Sequence, residues 1–153
     1  MLRTLGVVFA LVVPLWFFAQ ASPGDSKAIR PVSDAEALSA FGQDTKAPVP
    51  STPPGWVVNV ATYDARVVRV GFVRKESYAE FTGGSGAGFL ETYAGKGSVD
   101  GTVDVDGTPW QKYTTVDGHT SLLRQVGGVT VLVGGVRETA TDAELEELAA
   151  TVR

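Results

Sequence analysis

The sequence predicts an α+β domain, an antiparallel β-sheet of about six or seven strands packed by two or three helices, preceded by an N-terminal transmembrane or signal helix. Three observations predict it. The first is a long uncharged, hydrophobic opening run. The second is a pair of Ser/Thr-x-x-Glu helix-start boxes, one near each end of the remainder. The third is a set of alternating apolar segments separated by Asp-Gly and Gly-Gly dipeptides, the pattern of a C-terminal four-strand meander.

No charge occurs from Thr4 to Gly24, and the apolar heart runs from Leu5 to Ala19. The uncharged run of 21 residues, taken as a helix, spans about 31 Å, close to the hydrocarbon thickness of a bilayer. Arg3 is the sole preceding charge, so the positive-inside rule keeps the amino terminus in the cytoplasm and places the following domain outside. Trp16, Phe17 and Phe18 stand where an interfacial aromatic belt would lie. Ala19-Gln20-Ala21 also fits the small-x-small pattern of a cleaved signal peptide. A retained single-pass anchor contacting the membrane through residues 4–21 is thus one reading, and secretion after cleavage near Ala21 the other. Both export the domain. The implied division is residues 1–24 as anchor or signal segment, 25–32 as tether, and 33–153 as an extracytoplasmic α+β domain.

Composition excludes several functions. Of 153 residues, 44% are hydrophobic and 20% charged, a globular balance. The net charge is −4, which disfavours nucleic acid as a partner. The absence of cysteine removes disulfides, thiol catalysis and thiolate metal sites.

Within the domain, Ser33 and Glu36 frame the first helix, whose face is Ala37, Leu38 and Phe41, with Gly42 as its expected C-cap. Lys46 to Gly55 contains four prolines and should run extended. Trp56 to Tyr63 and Arg66 to Val73 alternate and are joined by the short link Asp64-Ala65, a hairpin signal. Val68, Val70 and Phe72 share one side, Arg69 and Gly71 the other. Tyr78 to Thr82 adds a third strand. Gly83 to Gly88 reads as a flexible loop, followed by a short helix with Phe89, Leu90 and Tyr93 inward. The meander comprises Thr102 to Val105, Thr108 to Val116, His119 to Val126 and Val129 to Val136. Its last strand has both faces apolar enough to be central. Thr141 and Glu144 open a final helix with the stripe Leu145, Leu148, Val152.

Little in this list carries chemistry. His119 is the single histidine and sits beside a turn, two residues from Ser121 and on a parallel course to it. This is poor geometry for a nucleophile–base pair. Asp100, Asp104 and Asp106 with Gly107 suggest a calcium loop, but the twelfth position falls on Tyr113 where a bidentate carboxylate is required. The glycine stretch lacks the Lys-Ser/Thr of a phosphate-binding loop and the third glycine of a dinucleotide fingerprint. No cofactor, metal site or catalytic set is expected. The one candidate ligand groove is aromatic, formed by Trp56, Phe72, Phe89, Tyr93 and Trp110.

The ordered set Arg30-Pro31-Val32, Pro54-Gly55-Trp56, Gly71-Phe72-Val73, Phe89-Leu90, Trp110 to Tyr113, Gly128 to Val131 and Asp142 to Leu148 resembles a membrane-anchored actinobacterial family, the domain of unknown function 4245. The resemblance covers nearly the whole chain. It implies a single-span protein of the cell envelope and brings no activity, cofactor or site residue. The expectation is therefore a non-enzymatic interaction module that binds an envelope protein or small ligand. A small-molecule or lipid carrier is the alternative, and a carboxylate-based enzyme a third.

Overall fold

The computed structural model describes residues 33–153. The anchor and tether expected at residues 1–32 lie outside the described residues. Among those described, no helix is long and apolar enough to cross a membrane.

The chain order is α1 (Ala35–Thr45), β1 (Val57–Asp64), β2 (Val67–Arg74), β3 (Ser77–Gly84), α2 (Phe89–Tyr93), β4 (Gly97–Val105), β5 (Thr108–Thr115), β6 (Thr120–Val126), β7 (Val129–Gly134) and α3 (Asp142–Ala149). The strands form one seven-stranded sheet in the order β1-β2-β3-β7-β6-β5-β4. Every pairing is antiparallel, and β7 is central as its two-sided apolar pattern requires.

The core lies on one face of the sheet. Val68, Val70 and Phe72 of β2 point there with Ala79 and Phe81 of β3, Val131 and Val133 of β7, Leu122 of β6 and Trp110 of β5. Leu38 and Phe41 of α1 and Leu145 and Leu148 of α3 close over them, so two amphipathic helices cover what the strands leave apolar. The Phe41 ring is fully buried, edge-on to Phe81 and Tyr63. Arg74 ties α3 to the β2–β3 hairpin, reaching Glu147 at 2.8 Å and Glu144 at 3.2 Å. The proline segment pairs with the C-terminus through reciprocal Val49 and Arg153 backbone bonds of 3.1 Å.

Several expectations are corrected. Ser33 does not cap α1: the N-cap is Asp34, in helical conformation and with no side-chain cap bond. The helix also passes Gly42 and stops at Lys46, whose left-handed φ of 59° and bond to the Gly42 carbonyl end it. Gly83 and Gly84 are not loop but the buried end of β3. A Cβ at Gly83 would enter the Phe41 ring, and one at Gly84 would meet Phe89, so these glycines let rings from both sides approach the strand. The first hairpin turns at Ala65-Arg66, both with positive φ. Asp106-Gly107 and Gly127-Gly128 make the expected primed turns with positive φ at both residues. Asp117-Gly118 does not: only Gly118 has positive φ, and the loop is longer, closed by Thr115 N–H on the His119 carbonyl. Strand β4 starts five residues before the expected Thr102. The two edge strands, β1 and β4, carry the sheet's register irregularities, at Val58/Val60 and Val99/Gly101. Such bulges hinder pairing with another chain.

Candidate functional site

The second face of the sheet is polar over β2 and β3 and apolar over β7, β6 and β5. Because side chains alternate, the strands that give Val68, Val70, Ala79 and Phe81 to the core give Arg69, Tyr78, Glu80 and Thr82 to this face. Toward the centre Leu132, Leu123 and Tyr113 form a small second cluster with Ala94, covered by Leu90 and Tyr93 of α2. Helix α2 covers only part of the face. Beside it lies a groove of about 400 Å³ lined by Arg69, Tyr78, Glu80, Thr92, Tyr93 and Gly134 to Arg137.

The floor is a buried carboxylate. Register places Arg69 opposite Thr82 and Gly71 opposite Glu80, so Arg69 and Glu80 are diagonal cross-strand neighbours. Arg69 donates twice to Glu80, Nε to Oε1 at 2.8 Å and Nη2 to Oε2 at 2.9 Å. Thr82 Oγ1 donates to Oε1 at 2.9 Å and the Tyr78 hydroxyl to Oε2 at 3.0 Å. Four donors occupy the four lone-pair directions of one carboxylate. Burial, then the neighbouring Glu80 charge, pushes the Tyr78 hydroxyl up to about 12, while hydrogen bonding to Glu80 holds the Arg69 guanidinium still more firmly protonated than usual. Gly71 is needed beneath, since a Cβ there would collide with Asn59 and the Tyr78 ring.

The walls are fixed to this floor. Val136 N–H donates to the Tyr93 carbonyl at 3.2 Å, joining the segment after β7 to α2. Thr139 and Ala140 N–H both donate to the Tyr78 carbonyl. Gly135 N–H donates to Ser121 Oγ at 3.0 Å, inside the protein. Gly134 has φ 133°, and a Cβ on it would strike Ser121, so the chain turns away from the sheet where only glycine fits.

A family model described as "Protein of unknown function (DUF4245)" matches residues 1–152. The chain belongs to this family. No curated protein and no solved structure matches it. The family assignment agrees with the resemblance drawn from the ordered motifs.

The five aromatic residues expected to line a groove do not come together. Trp56, Phe72 and Trp110 are buried in the helix-side core. Phe89 and Tyr93 belong to α2 on the opposite face, their rings 5.0 Å apart, and of the five only Tyr93 lines the Arg69–Glu80 groove. Alternation separates them: Phe72 is in phase with Val68 and Val70, whereas Tyr93 lies over the Arg69 side. Of the residues missed, Arg69, Tyr78 and Glu80 had one signal in the sequence, polar side chains alternating with fully apolar ones on two successive strands; Arg137, in the turn after β7, had none.

Other candidates resolve individually. Asp104 accepts from Gly107 N–H at 2.8 Å, a turn bond, and Asp100 accepts from the Thr114 hydroxyl. Among the described residues no three acidic or histidine side chains gather as a metal site. His119 Nδ1 lies 3.3 Å from a Glu138 oxygen, whereas Ser121 bonds Gly135. Glu138 is the carboxylate whose pKa is raised, by burial against the opposing pull of His119. Glu144 and Glu147 converge, but on Arg74.

Proposed function

We propose that this protein is a non-enzymatic binding module of the cell envelope, held at the outer side of the membrane by its N-terminal hydrophobic segment and recognising a ligand or partner through the groove beside α2. One observation carries the reading: the buried carboxylate of that groove is fully engaged. A general acid or base needs a free oxygen to exchange a proton with substrate. Glu80 has none, because Arg69, Tyr78 and Thr82 consume its acceptors. The same bonds make a rigid polar surface, which suits recognition because a preorganised site loses little entropy on binding. The rest of the face supports this. Among the described residues Glu138 is the one acid shifted upward, and the side chain 3.3 Å from it is His119, not a second acid. The carrier alternative draws no support from the placement of Trp56, Phe72 and Trp110 inside the closed core.

Photocrosslinking tests the reading. A photoreactive residue replaces the exposed Val136 at the groove in the full chain expressed in its own membranes, and a second chain carries it at Lys75 on the β2–β3 turn. A defined adduct from position 136 that is absent from position 75 supports recognition at the groove. Equal, unspecific labelling at both positions removes it. Protease added from outside should cut residues 33–153 while sparing the segment before them; protection of the domain in intact cells would refute the external placement.

A further inference from the structure

The groove contains more hydrogen-bond donors than it can satisfy internally, and the excess is cationic. Arg69 uses Nε and Nη2 on Glu80. Its Nη1 has no partner among the described residues, and the side chain remains 46% exposed. Arg137 lines the same groove, is exposed, and forms no ion pair among the described residues. It lies near enough to Tyr78 to oppose the rise in that hydroxyl's pKa. The Thr92 hydroxyl completes the rim. The acceptor side is exhausted: both Glu80 oxygens are saturated and the Tyr78 proton is committed to one of them. Arg69 and Glu80 cancel, which leaves Arg137 as the uncompensated charge of the groove, in a domain whose residues 33–153 hold ten basic and sixteen acidic side chains. A bound cation would find no free carboxylate there. An anionic oxygen would find a fixed guanidinium edge, a second guanidinium and a hydroxyl.

We propose that the groove beside α2 is an oxyanion site, in which a carboxylate or phosphate group of a small ligand sits between Nη1 of Arg69 and the guanidinium of Arg137, with the Thr92 hydroxyl as a third donor. The inference rests on the reading of this groove as a recognition surface and names its ligand class. Charge-assisted bonds from guanidinium to oxyanions are the strong, directional kind, and the Glu80 clamp holds Arg69 in place so that its third nitrogen is presented without loss of side-chain freedom. Tyr93 sits against the Arg69 guanidinium, 5.7 Å from its ring centroid, and offers an aromatic wall to whatever carries the anion.

The test uses the full chain in neutral detergent, observed by amide and arginine Nε–H NMR. Inorganic phosphate is one arm and acetate the other, with sodium chloride at matched ionic strength as the control. Saturable shifts at Gly134 to Arg137 and at Arg69, beyond those of chloride, are expected from at least one anion. Response to phosphate alone assigns a phosphate-bearing ligand, and response to both assigns carboxylates as well. Arg137→Gln should weaken binding about tenfold or more and leave amide shifts outside the groove in place, since no bond among the described residues depends on it; Arg137→Lys should recover part of the loss. Absence of saturable shifts with either anion, or unchanged affinity in Arg137→Gln, overturns the proposal. If position 136 still crosslinks specifically, the binding reading survives and only the oxyanion assignment falls; if both fail, both are removed.

Discussion

His119 Nδ1 stands 3.3 Å from Oε2 of Glu138, and that oxygen, in a residue only 8% exposed, has no aligned hydrogen bond. The imidazole at the end of the β5–β6 turn is thus the nearest compensation for a carboxylate buried in the segment between β7 and α3. Asp142, the other acid acting on it, raises its pKa further. Burial outweighs the histidine, so the folded chain holds a proton on Glu138 more firmly than the unfolded chain does.

The sign of the pH dependence follows. With the folded value raised, the contribution of Glu138 to stability is complete below the ordinary carboxylate pKa of 4.5 and is lost as pH rises through the folded value. Glu138→Gln should therefore gain stability relative to wild type as pH rises from acid toward neutral, read by denaturant unfolding at several pH values. His119→Ala should do the opposite, because it removes the neighbour that partly offsets burial. A Glu138→Gln chain less stable than wild type at neutral pH would show that the contact with His119, not desolvation, decides the balance.

Tyr78 gives a second pH signature. Its hydroxyl is pushed up to about 12 from 10.0, first by burial and then by the Glu80 charge. The unfolded chain loses that proton sooner, so stability falls as pH rises through this interval. Near-ultraviolet titration of the folded protein should find Tyr78 ionising late among its four tyrosines, beside Tyr63, which its bond to Asp44 also raises, and Tyr78→Phe should delete one late step. The same change removes a donor from a buried carboxylate and should cost about 1–3 kcal/mol at neutral pH. If all tyrosines ionised near the ordinary value, the clamp around Glu80 would be looser than described.

The alternation of Val68, Val70 and Phe72 with Arg69 and Gly71 was legible as a strand with one buried face, and the Gly127-Gly128 and Asp106-Gly107 turns were legible because left-handed backbone demands such residues. What joins across the sheet was not. Arg69 and Glu80 meet because Gly71 pairs with Glu80, a register that depends on where the β2–β3 turn falls and on how far β3 runs. The glycines Gly83 and Gly84 concealed that length, since flexibility and close packing both select glycine. The aromatic groove failed for a related reason: pooling Trp56, Phe72, Phe89, Tyr93 and Trp110 by type ignored the period of two that sends Phe72 and Arg69 to opposite faces.

Gly83 provides a direct test of the packing explanation. A methyl group there would enter the space of the Phe41 ring, itself enclosed by Phe81 and Tyr63. Gly83→Ala should destabilise the domain by about 1–3 kcal/mol through overpacking. Phe41→Leu alone should also destabilise, by leaving a cavity, but the double variant Gly83→Ala, Phe41→Leu should be more stable than the sum of the two losses allows. Strict additivity in thermal or denaturant unfolding would mean that the strand shifts to accept the methyl group and that glycine is present here for another reason.

The two helix-start boxes make a final comparison, because equivalent motifs have different fates. At α3 the box is complete. Thr141 Oγ1 accepts from Glu144 N–H, and the Glu144 carboxylate accepts from Thr141 N–H at 2.9 Å. That backbone bond is the main reason the Glu144 pKa is lowered, with Ser77 and Arg74 adding to it. At α1 the N-cap is Asp34, one residue later than the serine, and no side chain caps the helix. Thr141→Ala should therefore cost about 1 kcal/mol, whereas Ser33→Ala should change stability by no more than a few tenths, the range of an ordinary surface substitution. Glu144→Gln should lose more than Thr141→Ala, since the carboxylate also accepts from Ser77 and Arg74, and its deficit should shrink as acid protonates the wild-type glutamate: a depressed pKa means stability present above the ordinary value and lost below it. Equal costs for Thr141→Ala and Ser33→Ala in parallel unfolding curves would contradict the difference between the two helix starts.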